Sequence, residues 1–366
     1  MEIQLNEYDI KKLGWNEYFE ANFNSLRCEK DMMAARIIAE HRETYKILCE
    51  AGELSAEITG KMRFAAKCRV DFPAVGDFVA VSARPDEKSA SIHAVIPRKT
   101  AICRKATGDY SYEQIVAANV DIVFIVTSLN GEYKPRRLER YLTLVYESGA
   151  KPVIILTKAD LCEDYEAMAE QTRAACIGVD TIVASSITGL GFENIEAALK
   201  PGITAVFAGS SGVGKSSVLN RLMGRDIQKI NEIREDDARG RHTTTHRELF
   251  LLESGALLID TPGMRELQMS DDLNGLEEAF NDIESLAQNC RYRDCRHDAE
   301  PGCAVASAIE RGELDYKRFQ NYKNLRREIE HYAAQSDARL RRAEEKKWKQ
   351  IAKAMKNYSK ENRYKI

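Results

Sequence analysis

Gly209, Gly214, Lys215 and Ser216 stand at the spacing G-x-x-x-x-G-K-S within the stretch "GSSGVGKSS", Gly209 to Ser217. That spacing suits phosphate chemistry. Glycines let consecutive backbone N–H groups curl around anionic oxygens, and a helix that starts at the end of the loop adds positive potential. Lys215 would reach the β- and γ-phosphates of a nucleoside triphosphate, and Ser216 would ligate Mg²⁺. Ser210, Ser211, Gly212, Val213 and Ser217 complete the loop. The bland alternative is a glycine-rich turn. A buried strand, "ITAVFAG", before the loop and a helix, "SSVLNRLMG", after it argue against that.

Three further stretches fit the same chemistry. "DTPG", Asp260 to Gly263, ends an apolar run. Asp260 there can hold the Mg²⁺ shell and the Gly263 N–H can sense a γ-phosphate, although the four residues alone also make a good turn. "GRHTTT", Gly240 to Thr245, lies between. A threonine in this interval closes the Mg²⁺ shell, with Thr244 ahead of Thr243, and His242 is the candidate for ordering the attacking water, since Met264 stands where a water-orienting glutamine would. The alternative for that stretch is a polar, solvated loop. "TKAD", Thr157 to Asp160, reads as a base-specificity tetrad. Asp160 would accept from guanine N1–H and its exocyclic amine. Adenine has no donors there and would leave a carboxylate unpaired. The stem of Lys158 would pack on the base, Ala159 completes the tetrad, and Thr157 occupies the place where Asn is more usual. "ASSITG" supplies Ser185 and Ser186 as a base-contacting loop one strand later.

The order of these motifs is unusual. An ordinary GTP hydrolase presents its phosphate loop first. Here the base tetrad and base loop come first, then the phosphate loop, then the two switch segments. A doubly wound sheet can be cut and rejoined at surface loops without changing its packing, so the chain reads as a circularly permuted GTPase. A P-loop ATPase or kinase is the rival reading, and Asp160 argues against it.

A separate cluster, "CRYRDCRHDAEPGC", places Cys290, Cys295, His297 and Cys303 close together. Three thiolates and one imidazole make a tetrahedral zinc site, closed and therefore structural. Buried free cysteines or a disulfide are the alternatives, and a reducing compartment disfavours the disulfide.

The elements that must position these residues are legible in outline. The chain has 366 residues, 44% hydrophobic and 30% charged, with a net charge of −3. This is the composition of a soluble globular protein of two to three domains. No apolar run approaches the roughly 18 residues of a membrane helix, and the N-terminus lacks the apolar core of a signal peptide, so no membrane partner and a cytoplasmic location are expected. Tyr45 and Ile47, then Leu54, Ala56 and Ile58, then "GDFVAV", then Ile92, Ala94 and Ile96 alternate with polar residues between turn signals. They predict about five antiparallel strands closing a barrel of the OB type, an oligonucleotide-binding scaffold. The loop "GKMRFAAKCRV" carries Lys61, Arg63, Lys67 and Arg69 without an acid, a phosphate-facing candidate. From Asn119, continuous apolar runs alternate with helical spacing, the pattern of a largely parallel α/β sheet. After Leu267 only helical patterns surround the cysteines. Residues 334–366 hold 11 Lys/Arg against 4 Asp/Glu, a basic tail of net +7.

Taken together, "AEHRETY", "PAVGDFVAV", "RKATG", "AANVDIVFIVTSLN", "RRLERYLTLV", "TKADL", "GSSGVGKSS", "GRHTTT", "DTPGMRE" and "CRYRDCRHDAEPGCAV" resemble the small ribosomal subunit biogenesis GTPases of bacteria, from about Arg36 to the basic tail. The resemblance implies a multidomain chain. Its parts are an N-terminal extension (1–35), an OB-fold RNA-binding barrel (36–100), a permuted α/β P-loop GTPase domain (110–270), a mostly α zinc-binding domain (271–333) and a basic C-terminal helix (334–366). It implies GTP and Mg²⁺ at Thr157 to Asp160 and Gly209 to Ser217, and zinc on Cys290, Cys295, His297 and Cys303. It further implies slow GTP hydrolysis that the small subunit stimulates late in its maturation. Expected partners are the small ribosomal subunit and its rRNA, with other assembly factors as further candidates; a monomer is expected. The competing reading from another class is an RNA-associated G-protein-like switch outside ribosome assembly, whose turnover is incidental.

Overall fold

Short alternating runs build the first part of the molecule. The computed structural model describes residues 9–26, 31–41, 44–105, 113–130, 133–224, 247–260, 273–298, 300–331 and 333. The chain divides into two compact units, Met1–Gln268 and Met269–Ile366.

Five strands, β1 (Met33–His41), β2 (Thr44–Cys49), β3 (Gly52–Ile58), β4 (Phe78–Arg84) and β5 (Ser89–Val95), close in the order β1-β2-β3-β5-β4-β1. β3 shows the alternation plainly, with Leu54 and Ala56 inside and Glu53, Ser55 and Glu57 outside. The sequence pattern predicts antiparallel pairing throughout. The structure differs at one seam, where β3 and β5 run parallel. A closed ring of five strands cannot alternate direction at every step, so one pair must be parallel. Register shifts at Ile37/Ala39 and Ala80/Val81 are bulges that bend the strands enough to close. The stretch read as a basic loop begins instead as a helix, α2 (Gly60–Ala65), because the Thr59 hydroxyl caps it by accepting from the Met62 N–H at 3.3 Å.

The described part of the first 35 residues belongs to this barrel's core. Helix α1 (Glu17–Ser25) brings Phe19 to 4.4 Å and Trp15 to 5.1 Å, centroid to centroid, from Phe78. After the barrel comes a hairpin that periodicity did not signal, β6 (Ala101–Lys105) with β7 (Glu113–Ala118).

The apolar runs then form a sheet of β8 (Ile122–Ser128), β9 (Lys151–Thr157), β10 (Asp180–Val183), β11 (Thr204–Ala208), β12 (Glu248–Leu251) and β13 (Leu257–Asp260). They are interleaved with helices α3 (Pro135–Glu147), α4 (Tyr165–Ala175), α5 (Phe192–Ala198) and α6 (Lys215–Met223). The strand order is β10-β9-β8-β11-β13-β12, parallel except for β12. All of β11 is buried, and so is β9 after its first residue, as strands covered on both faces must be. Phe124 and Phe207 stack at 5.1 Å in this core. Renumbered from β11 with the ends joined, the order from β12 reads 2-3-1-4-5-6. It is one doubly wound sheet, cut and re-threaded. The path steps one way from β8 and the other way from β11, so the switch point, where ligands sit in such sheets, lies between them.

Barrel and sheet are continuous. β1 pairs with β12 at Ala39↔Glu248, and Arg247 meets Glu40 at 3.6 Å. Beneath this seam lies Arg36, 1% exposed. Its guanidinium donates to the carbonyls of Leu13, Gly76 and Asn119 and to Thr204 Oγ1. It thereby ties together the N-terminal segment, the barrel, the linker and β11. Burial lowers its pKa to about 10, opposed by Asp121 and Asp77, so it remains a cation at neutral pH.

The second unit holds α7 (Asn274–Ala279), α8 (Asn281–Ala287), α9 (Ala304–Glu310) and a helix α10 over 316–331. Leu276, Phe280, Ile283, Val305, Phe319 and Tyr322 form its core. Arg318 lies 4.7 Å over the Phe280 ring and pairs with Asp282 at 2.8 Å. Among the described residues no helix is long and apolar enough to cross a membrane. The tail 334–366 lies outside the described residues.

Candidate functional site

β11 ends at Ala208 and α6 begins at Lys215, so the glycine loop spans the turn between strand and helix. Gly209 has φ +143°, and a Cβ there would sit 2.3 Å from the Val126 carbonyl oxygen. No other residue fits so close to β8. Gly214 has φ +98° and faces the Thr157 side chain at 3.5 Å. Lys215 Nζ folds back to donate to the carbonyls of Gly209 (2.7 Å) and Ser210 (2.6 Å), which holds the ammonium over the loop. Val213 is buried, Ser216 half-buried, and Ser211, Gly212 and Ser217 are exposed. The arrangement offers backbone N–H groups, a helix N-terminus and the Lys215 ammonium to an anionic ligand.

The base tetrad closes β9 beside this loop. Thr157, 2% exposed, donates its hydroxyl to the Val213 carbonyl at 2.5 Å, with the Thr127 carbonyl 3.2 Å away as the alternative acceptor. A hydroxyl on this strand end therefore links the two motifs, which explains why Thr serves where Asn is more usual. Lys158 adopts a left-handed conformation, φ +60°, and the chain turns so that the Ala159 N–H bonds the Ala184 carbonyl at 3.2 Å. Ser185 is fully buried. Its hydroxyl donates to Asp160 Oδ1 at 2.5 Å and accepts from the N–H groups of Ile187 and Thr188 at 3.2 Å. Ser185 thus aims the Asp160 carboxylate. Ser186 uses its carbonyl to accept from Arg221 of α6 at 2.8 Å, and Arg221 stacks on Phe192 at 4.8 Å.

Sequence reasoning missed three contributors, Arg137, Tyr141 and Arg221. Arg137, in the first turn of α3, donates to Ser210 Oγ at 2.8 Å, and the Tyr141 hydroxyl also bonds Ser210. Strand order explains the Arg137 contact: β8 and β11 are parallel neighbours, so the helix after β8 starts beside the loop after β11, an adjacency the sequence does not state. Arg221 left no signal either, because its target is a backbone carbonyl.

At the end of β13, Asp260 faces Glu248 across the β12–β13 pair. Burial, and then the Glu248 charge, push its carboxyl above the usual range. Asp260 and the Ser216 hydroxyl are hard oxygen donors of the kind Mg²⁺ takes, and a buried carboxylate raised in this way gains from a nearby cation. Thr244, its neighbour Thr243, His242 and Gly263 lie outside the described residues.

In the second unit the ligand atoms of Cys290, Cys295, His297 and Cys303 lie within 4.8 Å of one another. Cys290 Sγ is 3.9 Å from Cys303 Sγ and 3.5 Å from His297 Nδ1; Cys303 Sγ is 3.4 Å from the same nitrogen. A tetrahedron with Zn–S bonds of about 2.3 Å has edges of about 3.8 Å, so this cluster could hold a metal ion of that size. The N–H groups of Ala304 and Ala306 point at Cys290 and Cys303 sulfur, at 3.4 and 3.3 Å, as suits thiolates. Burial lowers the pKa of His297, which favours the neutral, ligating imidazole.

Known proteins match this architecture. The RsgA GTPase family profile matches residues 95–270. A small ribosomal subunit biogenesis GTPase RsgA 2 of Lactiplantibacillus plantarum is 45% identical over 308 residues, 84% of this chain and 86% of that protein. An RsgA 1 of Listeria innocua is 43% identical over 351 residues, 96% of this chain and 98% of that protein. Among solved structures, YjeQ from Thermotoga maritima superposes with a TM-score of 0.61 at 26% identity, covering 81% of this chain and 98% of YjeQ. YloQ, described as a circularly permuted GTPase, superposes with a TM-score of 0.61 at 28% identity, covering 83% of this chain and 98% of YloQ. With a five-stranded barrel, a re-threaded P-loop sheet and a helical unit bearing a Cys/His cluster, the chain belongs to the RsgA family of GTPases, hydrolases of GTP.

Proposed function

We propose that this GTPase reads guanine with Asp160, grips the triphosphate with Gly209 to Ser217, and acts in maturation of the small ribosomal subunit. The observation that carries the reading is the contact between motifs far apart in sequence. Thr157 bonds Val213 and Ser185 bonds Asp160, which supports a base reader at the end of β9 working beside the phosphate loop that follows β11, next to the switch point of the sheet. The names of the relatives supply the cellular context, small ribosomal subunit biogenesis.

Lys215 neutralises the β- and γ-oxygens, and the loop N–H groups hold them in line for attack. Lys158 packs its stem on the base, and Ser186 contributes the wall of the base loop. Ser216, Thr244 and Asp260 would hold Mg²⁺, which supplies charge neutralisation on the phosphates when bound. Gly263 senses the γ-phosphate through its N–H, and His242 orders the attacking water. Zinc is the metal of Cys290, Cys295, His297 and Cys303, where it is structural. The partners are the small subunit and its rRNA, with other assembly factors beside them. The protein works as a cytoplasmic monomer. On this reading, residues 36–100 face RNA, 110–270 hydrolyse GTP, 271–333 form the zinc region and 334–366 a basic helix.

The test is GTP turnover with and without purified small subunits. We expect slow turnover alone and a rise of about tenfold or more on the subunit, roughly 1.4 kcal/mol off the barrier. His242→Ala should lose most of that rise and keep nucleotide affinity. Equal competition by ATP, or no response to subunits, would overturn the assignment.

A further inference from the structure

Phe64 is 94% exposed. It sits on α2, the six-residue helix between β3 and β4 that contains no buried residue. One exposed apolar side chain is ordinary; its company is not. From Gly60 to Val70 the chain carries Lys61, Arg63, Lys67 and Arg69 and no acid. Lys61, Arg63 and Lys67 are exposed, and none of the three is in an ion pair with another described residue. Arg69 differs, lying 3.5 Å from Glu40. The next acid, Asp71, turns its carboxylate back onto the N–H groups of Lys67 and Cys68 at 2.7 and 3.1 Å.

The helix has two faces. Met62 and Ala66, four residues apart, are half-buried over a cleft of about 480 Å³ that Val70, Ile96 and Pro97 also line. Lys61 and Phe64, three apart, are neighbours on the helix surface. The aromatic ring is therefore presented outward, on the barrel, with cations on either side along the chain.

We infer that Phe64 is a stacking platform for an unpaired RNA base, with Lys61, Arg63 and Lys67 receiving the flanking phosphates. Stacking needs an open base face, which a duplex does not offer, so the target is a single-stranded or bulged segment. A docking protein would instead meet an apolar cluster, whereas the only other large apolar side chain of α2, Met62, turns inward over the cleft. The inference rests on the reading above that the partner is ribosomal RNA.

Because Phe64 packs against little, its substitution leaves the fold intact. The full-length protein is compared as parent, Phe64→Ala, Phe64→Leu and Phe64→Trp, with two probes: purified small subunits and a single-stranded RNA oligonucleotide. We expect Phe64→Ala and Phe64→Leu to weaken binding about tenfold, within the range for one lost stack, with basal GTP turnover unchanged. Phe64→Trp should restore affinity and lose fluorescence on binding. Lys61→Ala should lower the salt dependence of binding by about one phosphate contact. If Phe64→Leu binds like the parent, the contact is with an apolar protein surface and the inference falls. If Phe64→Ala binds subunits like the parent, the inference falls while the proposed function stands. If the parent binds the oligonucleotide through Phe64 but not subunits, the proposed function falls and the stacking site stands; if it binds neither, both fall.

Discussion

At the scale of residues, the proposed base discrimination rests on Asp160, whose aim depends on Ser185, with its hydroxyl 2.5 Å from Oδ1. Replacing the carboxylate by an amide inverts one acceptor into a donor. Asp160→Asn should lose preference for GTP and gain it for xanthosine triphosphate, whose 2-oxo group accepts from the amide; competition binding with the two nucleotides reads this directly. Arg137 works differently. It touches Ser210 rather than any atom expected to react, so it is a positioning residue. Its side chain is exposed, which limits the bond to about 1 kcal/mol. Arg137→Ala should weaken GTP binding by about fivefold while kcat changes little, with Arg137→Lys partway between. A fall in kcat at constant affinity would instead place Arg137 at the phosphates.

Elements impose the next constraint. The Cys/His cluster joins a loop to helix α9, because Cys303 is both a candidate ligand and the N-cap, its sulfur accepting from the Ala306 N–H. Helix α9 is only seven residues long and cannot hold itself without tertiary support. Removing a ligand therefore removes an anchor. Cys303→Ser should lower metal content from one zinc per chain and melt the second unit at lower temperature, while nucleotide affinity of the first unit survives. Elemental analysis and nucleotide titration on one preparation check both parts; a zinc-free parent prepared without chelator would refute the zinc assignment. In the P-loop, Gly209 lies so close to the Val126 carbonyl that any side chain there would push the loop away from β8.

Across the whole first unit, Arg36 is the common tie. Its guanidinium satisfies acceptors on four segments, and it lies 4.8 Å over the Phe78 ring on which Trp15 and Phe19 also pack. Arg36→Met roughly keeps the volume but strands those acceptors and removes a cation from beside Asp121 and Asp77, although Asp77 keeps its pairing with Arg98 at 2.7 Å. We expect a loss of about 3 kcal/mol or more, the scale of breaking a buried charge network, measured by denaturant unfolding. A loss below about 1 kcal/mol would mean the seam is held elsewhere. The barrel and sheet are also joined through β1 and β12, and β12 lies just after the segment that contains His242 and Thr244. Arg247, the residue before β12, contacts Glu40, which also meets Arg69 of the basic stretch. On the proposed function, RNA at the barrel and GTP at the sheet would act on a shared element, and any effect of one on the binding of the other must be reciprocal.

How much of this was legible beforehand follows from the range of the forces involved. Periodicity marked the barrel strands and the buried sheet, because burial on one or two faces is written into each strand's own residues. Chemically demanding motifs were equally plain: a phosphate loop needs glycines at fixed steps, and a closed tetrahedral cluster needs its four ligands. Motif order alone revealed the re-threading. Contacts between distant segments could not be read in this way. That Thr157 bonds Val213, that Ser185 aims Asp160 and that Arg137 reaches Ser210 depend on which strands are neighbours. The sequence names polar residues but not their partners. The β6–β7 hairpin and helix α2 escaped notice because short elements are decided by caps and tertiary support rather than by period. Arg36 and the N-terminal segment escaped for a related reason. A buried arginine and a Trp–Phe–Phe cluster draw their meaning from the tertiary fold, which alone brings residues 13, 36, 76, 119 and 204 to one point.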